Sequence, residues 1–378
     1  MRRYLIAGVV TVGIGAAAVP AQAQVKGSAE ASAAAFANPK WTGSKTAWGH
    51  PDLEGIWTSD DMRGVPMSRP TQFGTRRHLT DEEFAARAKE RADARRVDNA
   101  RTGTFRNEEG SRDFGYTSMV IDPPDGRVPA LTAEAKARPP IRATSGVGPF
   151  NTIDDFSPWD RCITRGLAAS WLPVVYGNGT RILQTPDSVI IVHEMVHETR
   201  VIPLDPSTLR PAQGRPEQSR GTTGSGSPRA ESRGDGRAHM GAAIKQYMGV
   251  SRGHWEGHTL VIETTNFTDR LAVTGGIRHS QAMKMTERIT RIDPQMINYE
   301  LNVDDPKTYV APWTLRLTLT SQPGYEMYEY GCHEGNRSVP NALSGERVYE
   351  KQAEENARKG LPPPERVFEK VNGDDRGR

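Results

Sequence analysis

The sequence predicts a mainly β protein: an antiparallel barrel or a related sandwich, with a few peripheral helices. Three observations predict it. Apolar, β-branched runs recur from Thr259 onward at roughly 8–14-residue spacing, with turn signals between them. Trp313–Thr320 (WTLRLTLT) alternates strictly between apolar and polar or charged residues, the period of a half-buried strand. Thr259–Asn266 (TLVIETTN) is rich in residues whose branched side chains suit a pleated surface.

Taken in order, the chain opens with the pattern of a secretory signal. Arg2 and Arg3 precede the apolar Leu5–Val19, and Ala21-Gln22-Ala23 is an A-x-A cleavage site, so residues 1–23 read as removed on export. Residues 24–47 read as a flexible leader, 48–345 as the β-rich domain, and 346–378 as a polar helix with a mobile tail. No later segment offers the uncharged run of about 18–20 residues that a membrane span needs. The chain carries 49 Lys and Arg against 46 Asp and Glu, a net charge of +3, and loss of Arg2 and Arg3 leaves +1. That balance gives no pull toward nucleic acid or an anionic membrane. The expected location is the periplasm or the exterior.

Leu79–Phe84 starts a helix: Thr80 caps it and Glu83 completes a capping box, with the helix running to about Val97. Asn99–Ser145, rich in Gly, Pro and Arg, reads as a surface wrap with little regular structure. Tyr176-Gly177-Asn178-Gly179 is a turn into a strand at Thr180–Thr185, and Pro186-Asp187 turns that strand back. Pro206–Gly241 has almost no apolar residue and reads as a disordered insertion in a hairpin loop. Trp255–His258 is a further hairpin turn. Strands are expected at Gln281–Ile292, Met296–Val303 and Trp313–Thr320, with Tyr325–Cys332 as a last strand and Glu346–Lys359 as a polar helix.

Gly55-x-Trp57 opens the first strand in a way that resembles lipocalin-type barrels, where such a glycine lets the chain bend and the tryptophan closes one end. A core tryptophan on any first strand explains the same residues. A wider resemblance rests on several blocks in order: GHPDLEGIW, RCITRGL, ILQTPDSVIIVHEMVHETRVIPLD, SRGHWEGHTLVIETTNFTDR, VDDPKTYVAPWTLRLTL and YEYGCHEGN. Over roughly Trp48–Gly345 the chain resembles a large group of exported bacterial proteins of acidobacterial and sphingomonad type. The resemblance implies a β-rich exported domain and no particular activity. The insertion at Pro206–Gly241 departs from the group's usual form.

The chemistry-bearing residues fall in a few places. His193-Glu194-Met195-Val196-His197 is a literal H-E-x-x-H, which on a helix sets two imidazoles on one face with a carboxylate base beside the metal. Six Val or Ile residues flank it within Ser188–Leu204, which favours a strand over that helix. On a single long strand His193, His197 and Thr199 would share one face, and Glu194, Glu198 and Arg200 the other. Ion pairs facing solvent and a polar cluster inside the barrel both fit the second face. His333-Glu334-Gly335-Asn336 follows the last expected strand, where His333 and Glu334 could act as an acid–base pair with His197, or could form a plain turn. A metal site drawing on His193, His197 and His333 would suit zinc or another divalent ion; no other cofactor signature is present. Arg165 and Tyr176 lie on the loop-rich stretch before the hairpin and, with Glu194, Arg200 and Asn336, are candidate ligand contacts. Cys162 and Cys332 are the two cysteines; a disulfide between them would contribute roughly 2–5 kcal/mol, and two buried thiols are the alternative.

The function expected from these features is binding of a small, partly apolar molecule by the barrel. The alternatives are a lyase or hydrolase using His197, His333 and Glu334, and an envelope interaction protein that engages partners through the insertion.

Overall fold

Strand formation follows the β-branched runs, because their side chains lose least freedom on a pleated surface. The computed structural model describes residues 43–102, 112–139, 149–174, 176–205, 244–274, 277–321 and 324–365. The signal segment 1–23, the leader up to residue 42, the insertion 206–241 and the tail from residue 366 lie outside the described residues.

The strands are β1 Gly55–Thr58, β2 Val120–Asp122, β3 Gly179–Thr185, β4 Ser188–His193, β5 Thr199–Pro203, β6 Val250–Glu256, β7 Thr259–Thr265, β8 Ala272–Thr274, β9 Ile277–Arg278, β10 Lys284–Asp293, β11 Met296–Asp304 and β12 Trp313–Thr320. The helices are α1 Asp81–Thr102, α2 Ala133–Ala137, α3 Leu167–Trp171 and α4 Ser338–Arg358. The fold is mainly antiparallel β. Ten strands form one sheet in the order β5-β4-β3-β1-β12-β11-β10-β7-β6, with β2 also paired to β12. The pair β8-β9 stands apart.

The sheet is not closed. Its edge strands β5 and β6 still approach each other near Gly253. There Leu204 forms a parallel bridge with Gly253, and the Asp205 N–H donates to the Gly253 carbonyl at 2.8 Å. A side chain at Gly253 would stand 3.0 Å from Leu204 Cδ2, so a larger residue there would press on Leu204.

The register puts one set of side chains on one buried face. Ile182 lies opposite Ile191, Leu301 opposite Leu315, and Val303 opposite Trp313. Burying each such side chain contributes about 1.5–3 kcal/mol. Trp57, Trp171 and Trp313 fill this face together with Tyr299, Ile202, Leu260 and Ile289. Gly55 sits at φ +143°, with its Cβ direction 3.4 Å from the Trp57 indole nitrogen, so the G-x-W pair is a packing unit. That indole donates to the Leu53 carbonyl at 3.0 Å.

Several local expectations hold. The Thr80/Glu83 capping box forms, with the Glu83 N–H donating to Thr80 Oγ1 at 3.3 Å and the Thr80 N–H to Glu83 Oε2 at 2.8 Å. The Pro186-Asp187 turn joins β3 to β4; of the expected turn Trp255–His258 only Gly257-His258 joins β6 to β7, since Trp255 and Glu256 belong to β6.

Three expectations are corrected. The Asn99–Ser145 stretch contributes to the core rather than wrapping the surface: Phe114, Met119 and Val120 are buried, and β2 and α2 lie within it. Tyr325–Cys332 is not a strand. β12 already pairs with β11 on one side and with β1 and β2 on the other, so no edge remains for a hairpin partner. The last helix starts at Ser338, eight residues before the expected Glu346, because Val339 anchors its first turn against Phe150 and Phe156.

Among the described residues no helix is long and apolar enough to cross a membrane.

Candidate functional site

Ser188–Leu204 forms neither a helix nor one strand. β4 ends at His193, whose N–H donates to the Glu198 carbonyl at 2.8 Å, and β5 starts at Thr199. Met195–His197 is a single tight turn, with Val196 at φ 65° and His197 at φ 52°. A β-branched residue in the left-handed region is strained, and neighbours must hold it there. The His197 imidazole Nε2 accepts the Tyr330 N–H at 3.0 Å, and Glu194 Oε2 accepts the Tyr325 hydroxyl at 2.7 Å. Gly179 leaves room for that second contact, since a Cβ there would fall 2.5 Å from Glu194 Oε2.

The corner also cancels the two-face alternation expected of one strand. His193 and Arg200 both face the buried side. The Arg200 guanidinium reaches Glu287 on β10, with Nη2 at 2.6 Å from Oε2 and Nη1 at 3.0 Å from Oε1. Glu287 also accepts the Tyr299 hydroxyl at 3.0 Å and the Trp171 indole N–H at 3.2 Å. Ser251 Oγ accepts a third Arg200 bond at 3.0 Å. Burial pulls the Arg200 guanidinium down, but the Glu287 charge and hydrogen bonds outweigh it and hold Arg200 above its ordinary value. Burial, then the Glu287 charge, raises Tyr299 well above the ordinary phenol range. Arg200 is therefore part of a sealed interior cluster rather than an accessible ligand contact.

His193 lies edge-on to Trp171, ring centroids 4.8 Å apart, with Nδ1 3.0 Å from Thr180 Oγ1. Burial, then Arg200 and Arg165, press its imidazole down to about 3, so it is neutral at physiological pH.

The accessible site lies beside this cluster. Arg165, only 9% exposed, stacks its guanidinium over the Trp159 ring at 5.3 Å. Among the described residues it makes no ion pair and no side-chain hydrogen bond. Tyr176 and Tyr330 stack nearby, ring centroids 6.3 Å apart. Burial lowers Arg165 to about 10, with Tyr330, Glu198 and Tyr176 acting in the other direction. Tyr330 is raised to about 12 by burial, then by the Tyr176 hydroxyl. Glu198 accepts from Thr164 Oγ1 and, at 3.2 Å, from Ser170 Oγ, and burial raises its carboxyl despite those bonds. Trp159 and Tyr176 are each 40% exposed, so the aromatic rim faces solvent.

The Cys162–Cys332 disulfide, across a separation of 170 residues, ties the loop of Trp159 and Arg165 to the segment of Tyr325 and Tyr330. Asn336 serves that junction: its Nδ2 donates to the Asp160 carbonyl at 2.8 Å and to Cys162 Sγ at 3.3 Å. Its amide nitrogen is thus engaged in holding the disulfide loop.

Of the residues singled out from the sequence, Arg165 and Tyr176 come together, with His197 and Glu194 beneath them. His333 and Glu334 are exposed on the turn before α4, and no hydrogen bond among the described residues joins their side chains to His197. The expected catalytic set of His197, His333 and Glu334 is not assembled. The metal set is not assembled either: His193 is sealed inside, His197 holds Tyr330, and His333 faces solvent. No group of three or more His, Cys, Asp or Glu side chains suited to a metal exists among the described residues.

Sequence reasoning missed Trp159 and Tyr330 in the site, and Glu287 within. Glu287 had a legible signal, since it occupies the apolar phase of Met285-x-Glu287-x-Ile289. Tyr330 had none, because its place depends on the disulfide. Comparison with protein-family models, with curated proteins and with solved structures found no match in any of the three.

Proposed function

We propose that this chain is an exported, lipocalin-like binding protein for a small, partly apolar molecule bearing a carboxylate or similar anion. The ligand sits at the mouth beside the buried face, because the face itself is filled by Trp57, Trp171 and Trp313. One observation carries the reading: Arg165 is nine-tenths buried, makes no ion pair among the described residues and lies under an exposed aromatic rim. A buried cation without a partner costs free energy that an anionic ligand would recover. The rings of Trp159, Tyr176 and Tyr330 supply apolar faces for the rest of the molecule. The disulfide supports export, since such bonds persist in oxidising compartments.

Calorimetric titration with 3-phenylpropionate and hexanoate, each beside its uncharged amide, tests this. The acids should bind, the amides about tenfold or more weakly, and Arg165→Met should erase the difference. Equal affinity for acid and amide, or no binding by either, would sink it.

A further inference from the structure

A second cluster of cations lies on the other face of β12, away from the interior. Arg316 alternates there with the buried Leu315 and Leu317. With Arg69, Arg77, His78, Tyr116, Ser118 and Ile121 it encloses a cavity of about 120 Å³. That is room for about four waters, or for one phosphate-sized ion.

Arg69 is 2% exposed, yet every acceptor it meets is neutral. Its Nε donates to Thr117 Oγ1 at 2.9 Å, and its Nη1 to the carbonyls of Pro124 at 2.7 Å and Gly74 at 3.4 Å. Nη2 has no hydrogen-bond partner among the described residues. Asp125 acts on Arg69 electrostatically but forms no ion pair with it. The space for this guanidinium is built in: Gly126 has φ +67°, and a Cβ there would fall 2.6 Å from Nη2.

Arg77 makes one long contact, 3.5 Å to the Ile121 carbonyl, and no ion pair. Arg316 is held by Glu300 through two bonds at 2.9 and 2.7 Å. His78 Nδ1 is buried without a hydrogen-bond partner. Burial, then Arg77, Arg316 and Arg69, lower the His78 imidazole. Two arginines with no ion pair among the described residues, the His78 ring and the side chains of Tyr116 and Ser118 therefore line one cavity.

We infer that this cavity is an anion site, taking inorganic phosphate or the phosphoryl group of a small molecule. Guanidinium N–H groups facing a phosphate-sized space are the usual chemistry of phosphate capture, and a charged acceptor would satisfy the Arg69 Nη2 that no hydrogen bond among the described residues engages. The site is separate from the Arg165 mouth and does not depend on its ligand.

The test is titration of the full chain with inorganic phosphate and, in parallel, with glycerol 3-phosphate, read by calorimetry and by the His78 ring resonances in NMR. Phosphate should bind one-to-one and shift His78. Arg77→Ala, at an exposed position, should weaken binding about tenfold. Arg76→Ala, whose side chain is engaged by Glu83, and Arg165→Met should leave it unchanged. Tighter binding of glycerol 3-phosphate would assign the site to a phosphorylated molecule, and equal or weaker binding to the free anion. An unmoved His78 at about 10 mM phosphate, or equal losses in the Arg77 and Arg76 variants, would overturn the inference.

Discussion

His193 shows how far one position can depart from its sequence context. In an H-E-x-x-H string it reads as a metal ligand; in the fold it is a neutral ring among Trp171, Thr180 and Arg200. The consequence is a stability that depends on pH with a definite sign. The unfolded imidazole titrates near 6.5, whereas the folded one is held at about 3. As pH falls through 6.5 the unfolded chain takes up a proton that the folded chain refuses, so stability is lost on the acid side. The loss is at most about 1.4 kcal/mol per pH unit between those values. The raised carboxyls of Glu198, Asp61 and Asp160 act oppositely, losing stability as pH rises through the carboxylate range. The measurement is therefore a difference: urea unfolding of His193→Gln against the unsubstituted chain, from pH 7 to about pH 4. The gap between them should shrink as pH falls. A gap independent of pH would mean that the imidazole is not held neutral by burial.

At the scale of elements, the β4–β5 hairpin and the Tyr325–Cys332 segment form one device. The β-branched residues made strands legible on both sides of the H-E-x-x-H motif. The corner itself was not legible, because Met195, Val196 and His197 are not turn formers, and the contacts that hold them come from Tyr325 and Tyr330, more than a hundred residues away. The disulfide fastens that segment to the loop of Arg165. Replacing both Cys162 and Cys332 by Ser should cost about 2–5 kcal/mol in denaturant unfolding. The same variant should lose carboxylate binding while its far-ultraviolet circular dichroism is unchanged, because β12 and its neighbours do not depend on the bond. Retained affinity in that variant would show that the rim is assembled without the disulfide.

For the molecule as a whole, the ion pair of Arg200 and Glu287 crosses the buried face between β5, one edge of the sheet, and β10, the third strand from the other edge. It complements the single bridge between Leu204 and Gly253 in holding the sheet curled. Glu287→Gln leaves a buried guanidinium without a counter-charge and should cost about 3–5 kcal/mol. The double substitution Arg200→Met with Glu287→Met removes both charges and should regain most of that loss, as read from urea midpoints. A double variant as unstable as the single one would mean that the pair sets the geometry rather than only neutralising itself.

What the sequence by itself determined is local. The strands at Thr259–Asn266, Met296–Val303 and Trp313–Thr320, the Thr80 cap and the turn at Pro186-Asp187 follow from backbone preferences and side-chain period, which act over a few residues. The singling out of Arg165 and Tyr176 as candidate contacts also began there, from their place on a loop-rich stretch before a hairpin. Only the tertiary structure decided that Tyr330 joins them, that His193 is sealed inside, that His333 is not, and that Arg69 and Arg316 face one cavity. Those outcomes depend on which strand is left with a free edge and on which side chains fill the buried face. Both are set by packing between residues far apart in the chain, where a short-range pattern carries no information.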